Sequence, residues 1–370
     1  PTAARVSHCT GTRKQRVLHS ASTAPRTATI FNLLTSQKID AKNFPFCTID
    51  PNIATVEVPD DRLDKLSELN SSKSKINAVI EFVDIAGLIK GASKGEGLGN
   101  DFLTHIRNTD AIAHVVRFFI DDDIIHVNGK PDPVSDFNDI NTELILSDIT
   151  TLESITNRIT KSKTSEKEKN LLKEEAINAL DKLNSNNFLQ KKDLEKIQEF
   201  FPDIKLLTQK PMFVIANINE NTSKQEISDF IESMPENIKL VEVNVKVETD
   251  LDELSEDEKK EFMEEFGIDE SALSKIIKMG YGLLDLKTFF TSGEKESRAW
   301  AAKKYFNAQE CSGIIHTDIQ KGFIRAETVS YDDYIESGSE QASKANGVWR
   351  QEGKDYIVCE GDVIYFRFNI

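Results

Sequence analysis

Asp84-Ile85-Ala86-Gly87 follows directly on the apolar run Glu81-Phe82-Val83, and a glycine tract beyond it supplies Gly91, Gly95, Gly97 and Gly99. A carboxylate at the tip of a buried strand can hold a water of a bound Mg2+. A glycine three residues later lets a backbone N–H approach a terminal phosphate with no side chain in the way. The chemistry that suits this spacing is that of a nucleotide switch. Thr48, in the loop Asn43-Phe44-Pro45-Phe46-Cys47-Thr48-Ile49-Asp50-Pro51-Asn52, could close over the metal when a γ-phosphate is present; taken alone it reads first as an exposed hydroxyl. DxxG is common by chance, so the weight lies on its company.

Elements must position these groups. Ile30-Phe31-Asn32-Leu33-Leu34-Thr35 is amphipathic and reads as a helix leading into the Thr48 loop. Met212-Phe213-Val214-Ile215-Ala216 reads as a buried strand ending in Asn217-Ile218-Asn219-Glu220, and a strand over 239–243 is followed by Asn244-Val245-Lys246. What is absent is the phosphate loop GxxxxGK[ST], whose backbone N–H groups cradle phosphates while its Lys neutralises charge and its hydroxyl ligates the metal. Gly129-Lys130 and Gly353-Lys354 lack the upstream glycine that the pattern needs.

Composition sets bounds. At 370 residues, 39% hydrophobic and 29% charged, the chain can bury a large core in two or three domains. Its apolar runs fall far short of the ~20 residues of a membrane span. Cys9, Cys47, Cys311 and Cys359 are scattered without a CxxC pair and read as free thiols rather than a disulfide framework or zinc site. The net charge of −16 argues against a general polyanion binder. Residues 1–29 differ: they carry Arg5, Arg13, Lys14, Arg16 and Arg26 with no acidic residue, leaving −21 on the remainder. Such a start resembles a mitochondrial transit peptide; a misread 5′ end is the plainer account.

From Ile30 to Ile370 the chain resembles the YchF / Obg-like ATPase family of P-loop NTPases. The motifs that carry this are FPFCTIDPN (44–52), DIAGLIKGASKGEGLGN (84–100), HVVRFF (114–119), INTELILSD (140–148), IHTDIQKGFIRAE (314–327) and GKDYIVCEGDVIYFRF (353–368). The resemblance implies an α/β fold: a P-loop NTPase (G-domain) core in 30–135 and 206–283, a helical coiled-coil insertion in 136–205, and a C-terminal β-grasp TGS domain in 284–370. In the family the phosphate loop reads approximately GLPNVGKST before the helix. Here Ala21-Ser22-Thr23-Ala24-Pro25-Arg26-Thr27-Ala28-Thr29 occupies those positions, so Thr27 replaces the lysine, Ala28 the Mg2+ serine, and only Thr29 agrees. The stretch before it, VSHCTGTRKQRVLHSAS, is polar and basic where a central strand is expected, and burying several charges there would cost at least a few kcal/mol each. The expectation is therefore an aberrant segment over 1–29 that replaces the first strand and phosphate loop, with a frame or exon error favoured over a genuine loopless chain.

What the resemblance implies for function is ATP binding with Mg2+ and slow hydrolysis in a switch associated with the ribosome, in the cytoplasm, or in mitochondria if the basic start is genuine. Thr29, Thr48, Asp84, Gly87, Asn217, Asn219, Glu220, Asn244 and Val245 would line the nucleotide, with Thr48 and Asp84 at the metal. The guanine-reading NKxD is replaced by Asn217-Ile218-Asn219-Glu220, and adenine lacks the donor pair that a short carboxylate fork reads, so ATP is expected over GTP. Leu88 stands where Ras-like enzymes carry a water-orienting Gln, so hydrolysis needs another group, and the resemblance offers His114. A histidine at a strand start is more often a structural hydrogen-bonder. Two other readings stay open: a nucleotide-free scaffold acting through the arm and the TGS domain, and a GTPase.

Around these parts, Leu144, Ile149, Leu152, Ile155 and Ile159 fall at helical spacing, and with the charged run that follows they predict an antiparallel helical hairpin. Short strands are predicted at Gly313–Thr317, Phe323–Val329, Asp355–Val358 and Asp362–Phe368. Residues 285–370 hold 11 Lys+Arg against 14 Asp+Glu, which argues against strong nonspecific RNA binding. His316, Lys321 and Arg325 could still form a local RNA contact, or be surface residues of a hairpin.

Overall fold

Alternating strands and helices wind one sheet, and a long helical excursion interrupts it. The computed structural model describes residues 16–21, 27–36, 53–85, 98–120 and 131–369. Its first part runs β1 (Arg16–Ala21), α1 (Thr27–Ser36), β2 (Ile53–Val58), α2 (Asp61–Leu69), β3 (Lys75–Ile76), β4 (Ala78–Ile85), α3 (Leu98–Arg107) and β5 (Ala111–Arg117). After the excursion come β6 (Met212–Ile218) and β7 (Lys239–Asn244). The sheet order is β2-β4-β1-β5-β6-β7, parallel throughout except for β2 against β4. Parallel strands covered on both faces read as near-continuous apolar runs, and β5 and β6 are buried through almost every residue.

The first strand departs from expectation. Arg16–Ala21 lies in the middle of the sheet, with Val17 level with Phe82 on one side and Ala111 on the other. Of the five cationic residues in 1–29 only Arg16 belongs to it, and at its first position. The charge-burial objection thus bears on one end residue. α1 follows with Ile30, Phe31, Leu33 and Leu34 buried against the sheet.

The excursion is a helical arm: α4 (Pro133–Lys161), α5 (Glu166–Asn184), a 3-10 turn at Lys191–Leu194 and α6 (Glu195–Phe200). Asp132 caps α4 by accepting from Ser135 N–H at 3.0 Å, and Pro133 takes the first turn, where no intrahelical donor is lost. Leu152, Ile155 and Ile159 of α4 pack against Leu172, Ala176, Ala179 and Leu183 of α5. The arm is tied back by Asp148, fully buried, whose carboxylate accepts from Leu207 N–H (2.9 Å), Thr208 N–H (2.8 Å) and Thr208 Oγ1 (2.7 Å).

Helices α7 (Lys224–Ser233), α8 (Val245–Asp252), α9 (Glu256–Glu265) and α10 (Ala272–Leu283) complete the core. The C-terminal unit contains β8 (Leu286–Ser292), β9 (Ser297–Lys303), α11 (Ala308–Ile315), α12 (Thr317–Lys321), β10 (Phe323–Ser330), α13 (Tyr331–Ser337), α14 (Glu340–Ala345), β11 (Arg350–Glu352) and β12 (Asp362–Phe368). Its sheet order is β11-β10-β12-β8-β9-β3, with β12 parallel to β8 and the two-residue β3 of the core completing the far edge beside β9. Two predicted strands are corrected. Gly313–Ile315 ends α11 and Thr317 begins α12, because Asn307 and Glu310 form a capping box at 2.9 Å in both directions and commit the segment to helix. Over Asp355–Val358 only Ile357 forms an isolated bridge, to Asn307.

Candidate nucleotide site

In open α/β sheets ligands gather at the carboxyl ends of the strands. Register alignment brings those ends together here: Ile85 lies level with Ser20, Ala21 with Val115, Arg117 with Asn217, and Ile218 with Asn244. Asp84, half-buried, is one residue from the end of β4. α1 begins at Thr27, just beyond the tip of β1, so its N-terminal dipole opens toward the same edge. Thr29 lies in its first turn. Thr48 and Gly87 lie outside the described residues, so of the expected metal pair only Asp84 is located. Among the described residues no group of three His, Cys, Asp or Glu side chains could hold a metal ion by itself. A Mg2+ on this edge would therefore need phosphate and water oxygens to complete its shell, as is usual for that ion.

The ends of β6 and β7, where the base is expected, are better defined. Asn217, the penultimate residue of β6, is 3% exposed, and its Oδ1 has no hydrogen-bond partner among the described residues. A buried acceptor left unpaired costs about 1–3 kcal/mol, so an exocyclic amine such as adenine N6 fits this position. Asn217 is held in place by its own carbonyl, which accepts from Phe118 N–H at 3.0 Å. Asn219 folds the loop on itself: its Oδ1 accepts from Asn221 N–H (3.0 Å) and Thr222 Oγ1 (3.2 Å). Glu220, next along, is exposed at the turn. Across β6–β7, Asn244 caps α8 by accepting from Lys246 N–H (3.1 Å) and Val247 N–H (3.4 Å), and Val245 is buried in the core behind it. The structure thus brings Asn217 and Asn244 to one edge, leaving Val245 a packing role and Glu220 free to solvent.

His114 behaves differently. Its Cα is level with Ser20 and Val214, but the side chain projects to the arm side of the sheet, between Ile112 and Val116. It is fully buried, stacked on Phe137 of α4 at 5.3 Å with 22° between the planes. Neither ring nitrogen has a hydrogen-bond partner among the described residues. Burial lowers its pKa to about 3, which keeps the ring neutral. To serve an attacking water, the ring must leave this stack. In the C-terminal unit, His316 Nδ1 caps α12 by accepting from Asp318 N–H at 3.1 Å, and Arg325 donates to Glu327 at 3.0 Å, so both are engaged within the chain.

A contact that the sequence gives no sign of joins the two units. Arg62 on α2 donates to Asp60 (2.8 and 2.7 Å) and to Glu360 (2.6 Å), with its guanidinium 5.2 Å from the Phe290 ring centre. Asn70 extends the same junction by donating to Ser292 Oγ (2.8 Å) and accepting from Tyr334 Oη (2.9 Å).

Comparison with known proteins agrees with this architecture. Residues 28–148 match a family model described as 50S ribosome-binding GTPase, and residues 286–369 match the YchF-GTPase C-terminal model, described as a protein of unknown function. The chain is similar to the ribosome-binding ATPase YchF of Bacillus subtilis, 47% identical over 356 residues covering 93% of this chain and 96% of that one. It is 46% identical over 351 residues to the ribosome-binding ATPase YchF of Escherichia coli O157:H7, with the same coverage of 93% and 96%. Among solved structures it is similar to the Schizosaccharomyces pombe YchF GTPase, with a TM-score of 0.83 at 32% identity, covering 96% of this chain and 99% of that one.

Proposed function

Because the chain belongs to the YchF family of P-loop NTPase fold, we propose that it is a ribosome-associated switch that binds ATP in preference to GTP and hydrolyses it slowly. The observation that carries this reading is the buried Oδ1 of Asn217, unpartnered among the described residues, beside Asn244 at the carboxyl edge of the sheet. Asn217, Asn219, Glu220, Asn244 and Val245 frame the base. Thr29 and Gly87 would serve the phosphates, and Asp84 and Thr48 are the residues that would hold Mg2+, which neutralises phosphate charge when bound. His114 is the hydrolysis residue only in a state where it has left Phe137. The C-terminal unit acts as a TGS module with a local RNA contact, and the cytoplasm is the compartment that suits a ribosomal partner. Mitochondrial residence depends on the basic start. Among the described residues no helix is long and apolar enough to cross a membrane.

Thr27 and Ala28, standing where the family carries Lys and Ser, favour a second reading. Phosphoryl transfer rests on positioning and charge, and without those two groups both are weakened. In that reading the protein is a nucleotide-free scaffold that works through the arm and the C-terminal unit. Thermal unfolding with Mg-ATP, Mg-GTP or neither separates the two. A ligand at 100 times its dissociation constant adds ~2.7 kcal/mol, so stabilisation by ATP that Asn217→Ala abolishes supports the switch. No shift at millimolar ATP leaves the scaffold, and a stronger response to GTP makes it a GTPase. Co-sedimentation with ribosomes, with and without nucleotide, tests the partner in either case.

A further inference from the structure

A cleft of about 330 Å³ opens between α3 and α4, with Ile204 contributing to its wall. Its lining comprises two arginines, five hydroxyl side chains and three aliphatic ones, without a carboxylate. In a chain of net charge −16 that is an unusual local balance. Arg107, in the last turn of α3, donates through Nη2 to Ser147 Oγ (2.8 Å) and Thr151 Oγ1 (3.2 Å) and through Nη1 to the Lys205 carbonyl (3.4 Å), while Thr151 Oγ1 donates on to the Ser147 carbonyl (2.9 Å). Among the described residues no carboxylate forms an ion pair with it. Asp148, nearby on α4, feels the Arg107 charge, but its oxygens are hydrogen-bonded by Leu207 and Thr208. Two turns beyond Thr151, Arg158 is held in place by Asp203 (3.1 and 3.3 Å) and by the face of Phe201 at 4.5 Å.

We propose that this cleft binds a small phosphate-bearing anion, a phosphomonoester or pyrophosphate group. Arg107 attracts the phosphate by its charge and by the guanidinium N–H groups that Ser147, Thr151 and Lys205 leave free, and the hydroxyls of Ser147 and Ser154 donate to its oxygens. The volume sits at the lower end of the range for small-molecule sites. A polynucleotide would need a basic track beyond the cleft, and the overall charge of the chain opposes one. The site is separate from the strand edge that carries Asp84, Asn217 and Asn244. One of its walls is α3, which starts at Leu98 within the glycine tract.

The test is calorimetric titration of the full chain with inorganic pyrophosphate, alongside a ten-nucleotide RNA. Ser154 is exposed and on a helix, so Ser154→Glu places a carboxylate in the cleft without disturbing the core. Saturable pyrophosphate binding is expected in the parent chain and in Asp84→Asn. It should weaken at least about tenfold in Ser154→Glu and in Arg107→Gln. Absence of saturable binding overturns the proposal. So does pyrophosphate binding that Ser154→Glu leaves intact, which would place the anion elsewhere, and so does binding of the RNA without pyrophosphate.

Discussion

Arg62 and Glu360, 298 positions apart, meet at 2.6 Å, and through them the helix that follows β2 grips the turn before β12. Glu360 is half-exposed, so its charge is screened, and Glu360→Gln is expected to cost only about 0.5–1 kcal/mol in urea unfolding, less at high salt. Arg62→Ala removes the pairing with Asp60 and the cover over Phe290 as well, and should cost about 1–3 kcal/mol. Equal losses in the two variants would mean that the Asp60 and Phe290 contacts contribute nothing.

Asp148 makes a sharper prediction. Asp148→Ala strands two buried N–H groups and a hydroxyl, and about 3 kcal/mol of stability should be lost. Hydrogen exchange at the Leu207 and Thr208 amides should rise with it, because those are the donors released. Unchanged exchange there would show that another group holds the arm to the core.

His114 offers a pH signature. Its folded pKa of about 3 lies below the ordinary value of 6.5, so the unfolded state binds the extra proton. Stability from this group is complete above pH 6.5 and falls as pH drops toward 3, with a limiting slope of about 1.4 kcal/mol per pH unit. His114→Phe keeps the stack on Phe137 and should flatten that limb. The same variant decides the catalytic question: ATP turnover equal to that of the parent chain would remove His114 from the hydrolytic step.

Glu327 acts in a lower window. Held between Arg367 (2.9 Å) and Arg325 (3.0 Å), its carboxyl is drawn down to about 2 from an ordinary 4.5. Its contribution is therefore present above pH 4.5 and is lost as pH falls toward 2. Both arginines are more than a third exposed, which discounts the gain to about 1–2 kcal/mol. Glu327→Gln should lose stability less steeply than the parent chain as pH falls across that interval.

Strand-end residues were the most legible part of the site. Asn217 ends an apolar run and Asn244 an alternating strand, and a parallel sheet must bring such ends to one edge. Legibility stopped where the decisive partner is remote or the local pattern misleads. The polar stretch before α1 conceals β1 (Arg16–Ala21), whose apolar part is only Val17-Leu18 between basic and hydroxyl residues. Gly313–Thr317 contains an apolar pair that mimics a strand, while the deciding capping box lies upstream at Asn307. His114 sits in a run where every neighbour is apolar, and periodicity alone cannot tell which face of a fully buried strand meets Phe137. The Arg62–Glu360 contact has no local signal at all.

The pairing of β3 with β9 has a practical corollary for dissection of the molecule. A fragment beginning near residue 284 would expose the backbone donors and acceptors of β9 that Lys75 and Ile76 now cover, and bare sheet edges recruit strands from other chains. Chimeras that exchange this unit between relatives therefore need to carry the α2–β3 segment with it, since the boundary in the chain does not coincide with the boundary in space.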